Sequence, residues 1–423
     1  MIVMNWNGKA ALAGAALSLI ALSNAFAQTD TTGTTATIAT PTTTAVKQGD
    51  HEKKKAWYEI LSIRGYAQIR YNRLLETNPD LKCDQCDRSL GENGGLFIRR
   101  ARLVISGNVH DRVFIYIQPD LASSASSTSL NFLQLRDAYF DVALDAGKAY
   151  RVRIGQSKIP YGFENLQSSS NRLTLDRNDA LNSAIANERD LGMFFYYAPA
   201  AIRSRFEELT NKGLKGSGDY GVLGLGFFNG QTANKPEAND NLHVVARVSY
   251  PFKLKNGQFI EPGVQAYTGK YTVAPDQVST GVQANESYTD QRVAATLVVY
   301  PQPLGFQAEY NIGKGPEYNP ETNSITEQTL QGGYAQAMYL FRAGNQTIMP
   351  FLKMQYYDGG KKHERDAAGY LVYETEIGAE WLVIKNLELT ALYAIGDRTV
   401  RNAANPMNQQ HGNRLRLQAQ FNF

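Results

Sequence analysis

The sequence predicts an all-β fold, a transmembrane antiparallel β-barrel of about 16 strands with long extracellular loops and short periplasmic turns. Three observations carry that expectation. Runs in which apolar and polar side chains alternate with period two recur from residue 60 to the last residue. The connections between the alternating runs are long and short by turns. The chain opens with an export-type segment and afterwards offers no apolar run fit for a helical span.

Residues 1–27 read as a cleavable signal peptide: Lys9 precedes an apolar run over 10–22, and Ala25-Phe26-Ala27 precedes Gln28. The run is short for a bilayer span, so export is expected rather than anchoring. Lys9 is the only charge in this segment, so its removal takes the formal net charge from +3 to +2. A balance so near neutral argues against a nucleic-acid partner. A hydrophobic content of 43% with a mean hydropathy of -0.37 is too polar for a helical membrane protein. It suits a wall that averages lipid-facing and lumen-facing residues.

Residues 28–57 are rich in Thr and Ala, contain Pro41, and close on Lys53-Lys54-Lys55. They hold too little apolar surface to fold alone and are expected to be a disordered periplasmic tether, with contact to cell wall or anionic lipid as the alternative. The barrel is then 58–423. The cysteines, Cys83 and Cys86, sit in a connection between strands. Zinc would need two further ligands that no second CxxC or spaced histidine pair supplies. A loop disulfide or two idle thiols is expected, with no metal and no cofactor.

In the first strand Leu61, Ile63, Ala67, Ile69 and Tyr71 alternate with Ser62, Arg64, Tyr66, Gln68 and Arg70. In the last, Leu415, Leu417, Ala419, Phe421 and Phe423 alternate with Arg414, Arg416, Gln418, Gln420 and Asn422. Further runs fall near 97–109, 114–121, 130–142, 150–156, 191–198, 220–229, 242–250, 258–267, 289–300, 304–312, 330–341, 347–357, 371–383 and 386–397. Long connections at 72–96, 157–190, 268–288, 313–328, 358–370 and 398–412 take odd positions, and short ones such as 110–113, 301–303 and 342–346 take even positions. A β-sandwich has no need of that parity. Residues 199–219 break it, through an insertion in a periplasmic turn or a misplaced strand boundary. Aromatic clusters such as Phe194-Phe195-Tyr196-Tyr197, Phe227-Phe228, Tyr356-Tyr357 and Trp381 fit rings at headgroup level.

The wet face of the strands carries the chemistry. Arg64, Arg70, Arg100, Arg102, Arg151, Arg153, Arg414 and Arg416 fall on it, and closure of the last strand on the first should set Arg414 and Arg416 beside Arg64 and Arg70 as a basic wall. Strict alternation turns Arg136 outward unless a bulge intervenes. Glu261, Glu309, Glu374, Glu376, Glu380 and Glu388 make the lumen elsewhere acidic, hence polarised. Guanidinium forks can hand an anion from one site to the next. They can equally pair with neighbouring glutamates and stiffen the wall.

The runs Phe97-Ile98-Arg99-Arg100-Ala101-Arg102-Leu103, Leu135-Arg136-Asp137-Ala138-Tyr139-Phe140-Asp141 and Ile154-Gly155-Gln156-Ser157-Lys158-Ile159-Pro160-Tyr161-Gly162-Phe163-Glu164, followed by Asp190-Leu191-Gly192-Met193, resemble in order the porin O and P (phosphate-selective porin) family. The resemblance is clear over 60–230. It implies a sixteen-stranded, usually trimeric barrel whose third outside loop folds inward, and an arginine ladder for phosphate-like anions. The ladder role passes to Arg100, with Arg99 and Arg102 as neighbours. In this chain the loop is 157–190, with Lys158, Arg172, Arg177 and Arg189 as its candidate constriction residues. The glutamates depart from a purely cationic pore and put phosphate preference in doubt.

The expected function is therefore an outer-membrane porin of a Gram-negative bacterium that passes small solutes and favours anions such as phosphate. Its expected partners are small anionic solutes, outer-membrane lipid and lipopolysaccharide, the barrel assembly machinery through terminal Phe423, and two further copies in a homotrimer. A non-conducting structural or adhesin barrel is the alternative, distinguished by absence of conductance. An outer-membrane enzyme is a weaker rival: the histidines His51, His110, His243, His363 and His411 are dispersed and no GxSxG elbow occurs.

Overall fold

A computed structural model describes residues 57–81, 95–123 and 131–423. The signal segment, the tether up to residue 56, and Cys83 and Cys86 lie outside the described residues. After a one-turn helix, Trp57–Ile60, the chain forms β1 (Leu61–Leu74), β2 (Phe97–His110), β3 (Val113–Ser123), β4 (Asn131–Ala143), β5 (Tyr150–Lys158), β6 (Arg189–Tyr197), β7 (Leu223–Phe228), β8 (His243–Ser249) and β9 (Phe252–Lys253). It continues with β10 (Phe259–Tyr271), β11 (Tyr288–Val299), β12 (Leu304–Asn319), β13 (Ser324–Tyr339), β14 (Phe341–Ala343), β15 (Gln346–Gly360), β16 (Gly369–Ile384), β17 (Leu387–Arg401) and β18 (Asn408–Asn422). Two breaks are local, because β8 and β9 both pair with β10, and β13 and β14 both pair with β15. The eighteen segments thus make sixteen staves.

Every stave pairs antiparallel with its sequence neighbours, and β18 pairs with β1, so the sheet closes without an edge. The closing rung is Gly65 with Phe423, whose amides and carbonyls exchange bonds of 2.8 and 3.0 Å. A Cβ on Gly65 would come within 2.4 Å of the Arg102 carbonyl oxygen and 2.5 Å of the Phe423 ring, so the glycine makes room for both the neighbouring strand and the terminal aromatic. Alternation settles which face meets lipid: Ile63, Ile69, Leu103, Val293 and Phe421 are exposed, while Gln68, Arg70, Arg102, Arg292 and Gln420 are buried.

Odd connections lie at one end of the barrel and even ones at the other, but their lengths alternate less cleanly than expected. Outside strands run further than their hydrophobic pattern suggested: 313–328 shrinks to a hairpin at 320–323, and 398–412 to 402–407. Past the membrane the ladder continues wherever two strands still pair, whatever their polarity. The irregular stretch 199–219 is an insertion, with a helix Ala200–Asn211 that buries Ile202, Phe206 and Leu209. Its Glu208 is tied to Lys212 and Lys253.

The aromatic clusters need one correction. Phe195, Tyr197 and Tyr150 stack on the outer face at the periplasmic end, but Phe194, Tyr196, Phe228 and Tyr357 point inward and are at most 1% exposed. They belong to apolar clusters inside the lumen. One joins Ile159, Tyr161, Leu181 and Ile185 of loop 157–190 to Phe194, Tyr196, Phe228, Val245 and Tyr267. Another joins Phe163, Leu173 and Leu175 of the same loop to Tyr300, Met338, Phe351 and Leu392. At ~1.5–3 kcal/mol for each large side chain removed from water, these contacts hold the loop inside the barrel.

Candidate functional site

Two bulges decide which arginines enter the lumen. On β2, Gln68 faces Arg100 and the next residue, Ile69, faces Ile98, so Arg99 is an extra residue. Arg99 and Arg100 are consequently both buried on the inner face. On β4, Gln118 faces Asp137 and Pro119 faces Leu135, and the extra residue is Arg136. Pro119, which has no N–H for the ladder, sits at that irregularity. Arg136 and Asp137 both turn inward, 5% and 4% exposed.

The result is a polarised lumen. Among the described residues buried in β1–β5 are Arg70, Arg99, Arg100, Arg102, Arg136, Arg151, Arg153 and Lys158, against only Asp120, Asp137 and Asp141. Arg64 is exposed near the periplasmic end of the same wall. In β10–β17 the balance reverses: Glu261, Asp290, Glu309, Glu317, Glu374, Glu376, Glu380 and Glu388 face only Arg292, Lys353 and Arg398. At the seam Arg416 lies near Arg70 and bonds Asn72. Arg414 does not neighbour Arg64, as the sequence reading expected. Antiparallel register sets Tyr66 against Asn422 and Leu74 against Leu415, so Arg64 and Arg414 lie toward opposite ends of the seam.

Most of these cations have carboxylate partners. Arg102 bonds Asp120 at 2.8 Å, Arg153 bonds Asp141 at 2.7 Å and Arg189 bonds Asp137 at 2.9 Å, while Arg151 forms an ion pair with Asp219 at 2.8 Å. Arg136 and Arg177 share Glu188, at 3.7 and 2.9 Å. Arg64 and Arg100 differ. Arg64 donates to Ser106 Oγ at 3.0 Å and lies over the Tyr116 ring, and Arg100 donates to Gln68 Oε1 at 2.9 Å. Neither has a carboxylate partner among the described residues.

Loop 157–190 lies against both walls. Its acids do the docking. Asp176 pairs with Arg70 at 3.0 Å, Arg99 at 3.6 Å, and Arg416. Asp179 pairs with Lys361 at 2.7 Å and Arg398 at 3.0 Å. Glu164 meets Lys353 at 2.5 Å and accepts the Asn178 N–H at 2.7 Å. From the acidic wall, Glu309 accepts the N–H groups of Phe163 and Glu164 at 2.6 and 2.7 Å. Arg292 donates to Ser183 Oγ at 2.7 Å. The loop's own cations are largely consumed within it: Lys158 donates to the carbonyls of Leu166 and Gln167, and Arg172 to those of Thr174 and Leu175. Arg292, Lys353 and Arg398 went unnamed from sequence, although each lies on the inward parity of its strand.

The comparisons agree with this geometry. The outer membrane channel DcaP of Acinetobacter baumannii superposes with a TM-score of 0.53 at 15% identity, over 86% of this chain and 97% of that one. Salmonella typhi OmpF, in complex with daunomycin, gives 0.53 at 13% identity over 86% and 97%. Such identities show the shared barrel fold and no more. No curated protein matches the chain in sequence. The family model of phosphate-selective porin O and P matches residues 76–423, and with most of the chain covered, the protein belongs to that family of outer-membrane porins.

Proposed function

We propose that this porin favours small anions, phosphate-like oxyanions among them, which pass along the wall formed by β1–β5. The observation that carries the reading is the pair Arg64 and Arg100, guanidiniums of the basic wall with no carboxylate partner among the described residues. A permeating oxyanion can supply the acceptors that their forks lack. Much of the acidic wall, by contrast, is occupied: Glu309 by backbone N–H groups of loop 157–190, Glu374 by Arg398 and Gln355, and Glu261 by Arg247 and Ser249. The loop is read as the constriction, with Lys158, Arg172, Arg177 and Arg189 bracing it and Arg70, Arg99, Arg102, Arg136, Arg151, Arg153, Arg414 and Arg416 setting the potential of the path. Residues 1–27 direct export in a Gram-negative cell, 28–57 tether the barrel, and three copies associate. The protein acts as a channel rather than an enzyme.

Block of chloride current by inorganic phosphate tests the reading. A charge-assisted bond is worth about 1.5–3 kcal/mol, so Arg100→Ala should weaken the block about tenfold or more. Arg100→Lys keeps the charge without the fork and should give an intermediate value. Unchanged block in both variants would contradict the proposal.

A further inference from the structure

The turn between β6 and β7 is far longer than a periplasmic hairpin needs. Its helix, Ala200–Asn211, leads into a segment that runs back inside the barrel. Leu209 and Leu214 are buried, 0% and 2% exposed, in a cluster with wall residues that include Tyr300 and Met338. The next residue, Lys215, is 7% exposed and its ammonium pairs with Glu380 of β16. Glu388 of β17 projects from the same face two rungs away and is equally buried. In a ring of sixteen staves β6 and the stave of Glu380 are eight apart, so this segment crosses the periplasmic mouth on a diameter. There it meets loop 157–190, whose Gln167 donates to the Lys215 carbonyl at 2.6 Å and whose Asn171 donates to the Gly216 carbonyl at 2.8 Å.

We propose that residues 199–219 form a second constriction, entering from the periplasmic side, and that Lys215 is a specificity-determining residue for ions crossing it. A strut needs only apolar contacts, which Leu209 and Leu214 already supply. Burying the Lys215 ammonium beside Glu380 adds a desolvation cost that an apolar side chain at this position would not carry. Here the ammonium offsets the charge of Glu380 beside the still-uncompensated Glu388 carboxyl. Ions that pass this bar therefore meet a weaker barrier to anions than the glutamates alone would raise.

The inference rests on the channel reading and not on the sign of its selectivity, because it concerns a shift relative to the parent protein. The experiment is the reversal potential of the full-length protein and its variants in planar bilayers under a potassium chloride gradient. Lys215→Met should shift it toward cation selectivity. The double variant Glu380→Gln/Glu388→Gln should shift it toward anions, and it keeps the question open to test if Lys215→Met fails to insert. Adding Lys215→Met to the double variant should move the potential back toward that of the parent. A structural strut would alter thermal stability without moving the potential, and unchanged potentials in the inserted variants would overturn the proposal. A cation-selective parent would count against the anion reading alone.

Discussion

Asp176 takes ion pairs from Arg70, Arg99 and Arg416, three guanidiniums from β1, β2 and β18. Removing one member of a buried ionic group costs about 3–5 kcal/mol, because the partners stay buried without compensation. Asp176→Asn should therefore loosen this part of loop 157–190. The expected outcome is a larger single-channel conductance and a lower temperature of heat-induced unfolding on gels, with the folded barrel still formed. A variant with parent conductance would show that Asp176 does not hold the constriction. The same scale shows what the sequence hid. Arg99 and Arg100 are adjacent, as are Arg136 and Asp137, and strict alternation must send one of each pair into lipid. A charge at the bilayer midplane of a barrel wall costs ~2–4 kcal/mol. Neighbouring charges inside an otherwise alternating strand are thus a readable sign of a bulge. The partners of each arginine were not readable, since they come from residues distant in sequence, such as Asp176 for Arg416.

At the scale of elements, the strands were legible because period two survives any change of lumen chemistry. Loop 157–190 was harder to place. Its apolar residues, Ile159, Tyr161, Leu173, Leu175, Leu181 and Ile185, have no regular period, and only the wall shows that they are buried. A surface loop would have little use for so many, which is a compositional signal that the charges masked. The closing rung gives a direct prediction. Gly65→Val would place a branched side chain against the Arg102 carbonyl and the Phe423 ring and should lower the yield of heat-modifiable barrel, with Gly65→Ala lowering it less. Equal yield from Gly65→Val and the parent would remove that contact from the account of closure. The periplasmic helix offers a test by pH. Hydrogen bonds from Lys212 and Lys253 hold the Glu208 carboxyl below its usual range. A lowered carboxyl contributes stability above its unfolded value and loses it as pH falls through the lowered one. Protease protection of the turn should accordingly survive the ordinary carboxylate titration and fail only at lower pH. Loss of protection within the ordinary range would separate Glu208 from this role.

Across the whole molecule, eight buried carboxylates in β10–β17 face a wall of arginines in β1–β5. Two in-folded segments, one from each side of the membrane, pack against the inner faces of these walls and against each other. The polarity of the lumen could be read from strand faces alone. Its occupation could not, because apolar contacts, ion pairs and backbone bonds between distant segments assemble only in the closed barrel. On the proposed function the basic wall, and not the acidic one, sets what passes. Single-channel recording across a potassium chloride gradient separates the two. The account predicts open channels whose reversal potential has the sign of anion selectivity; a cation-selective potential, or a correctly inserted barrel that carries no current, would contradict it.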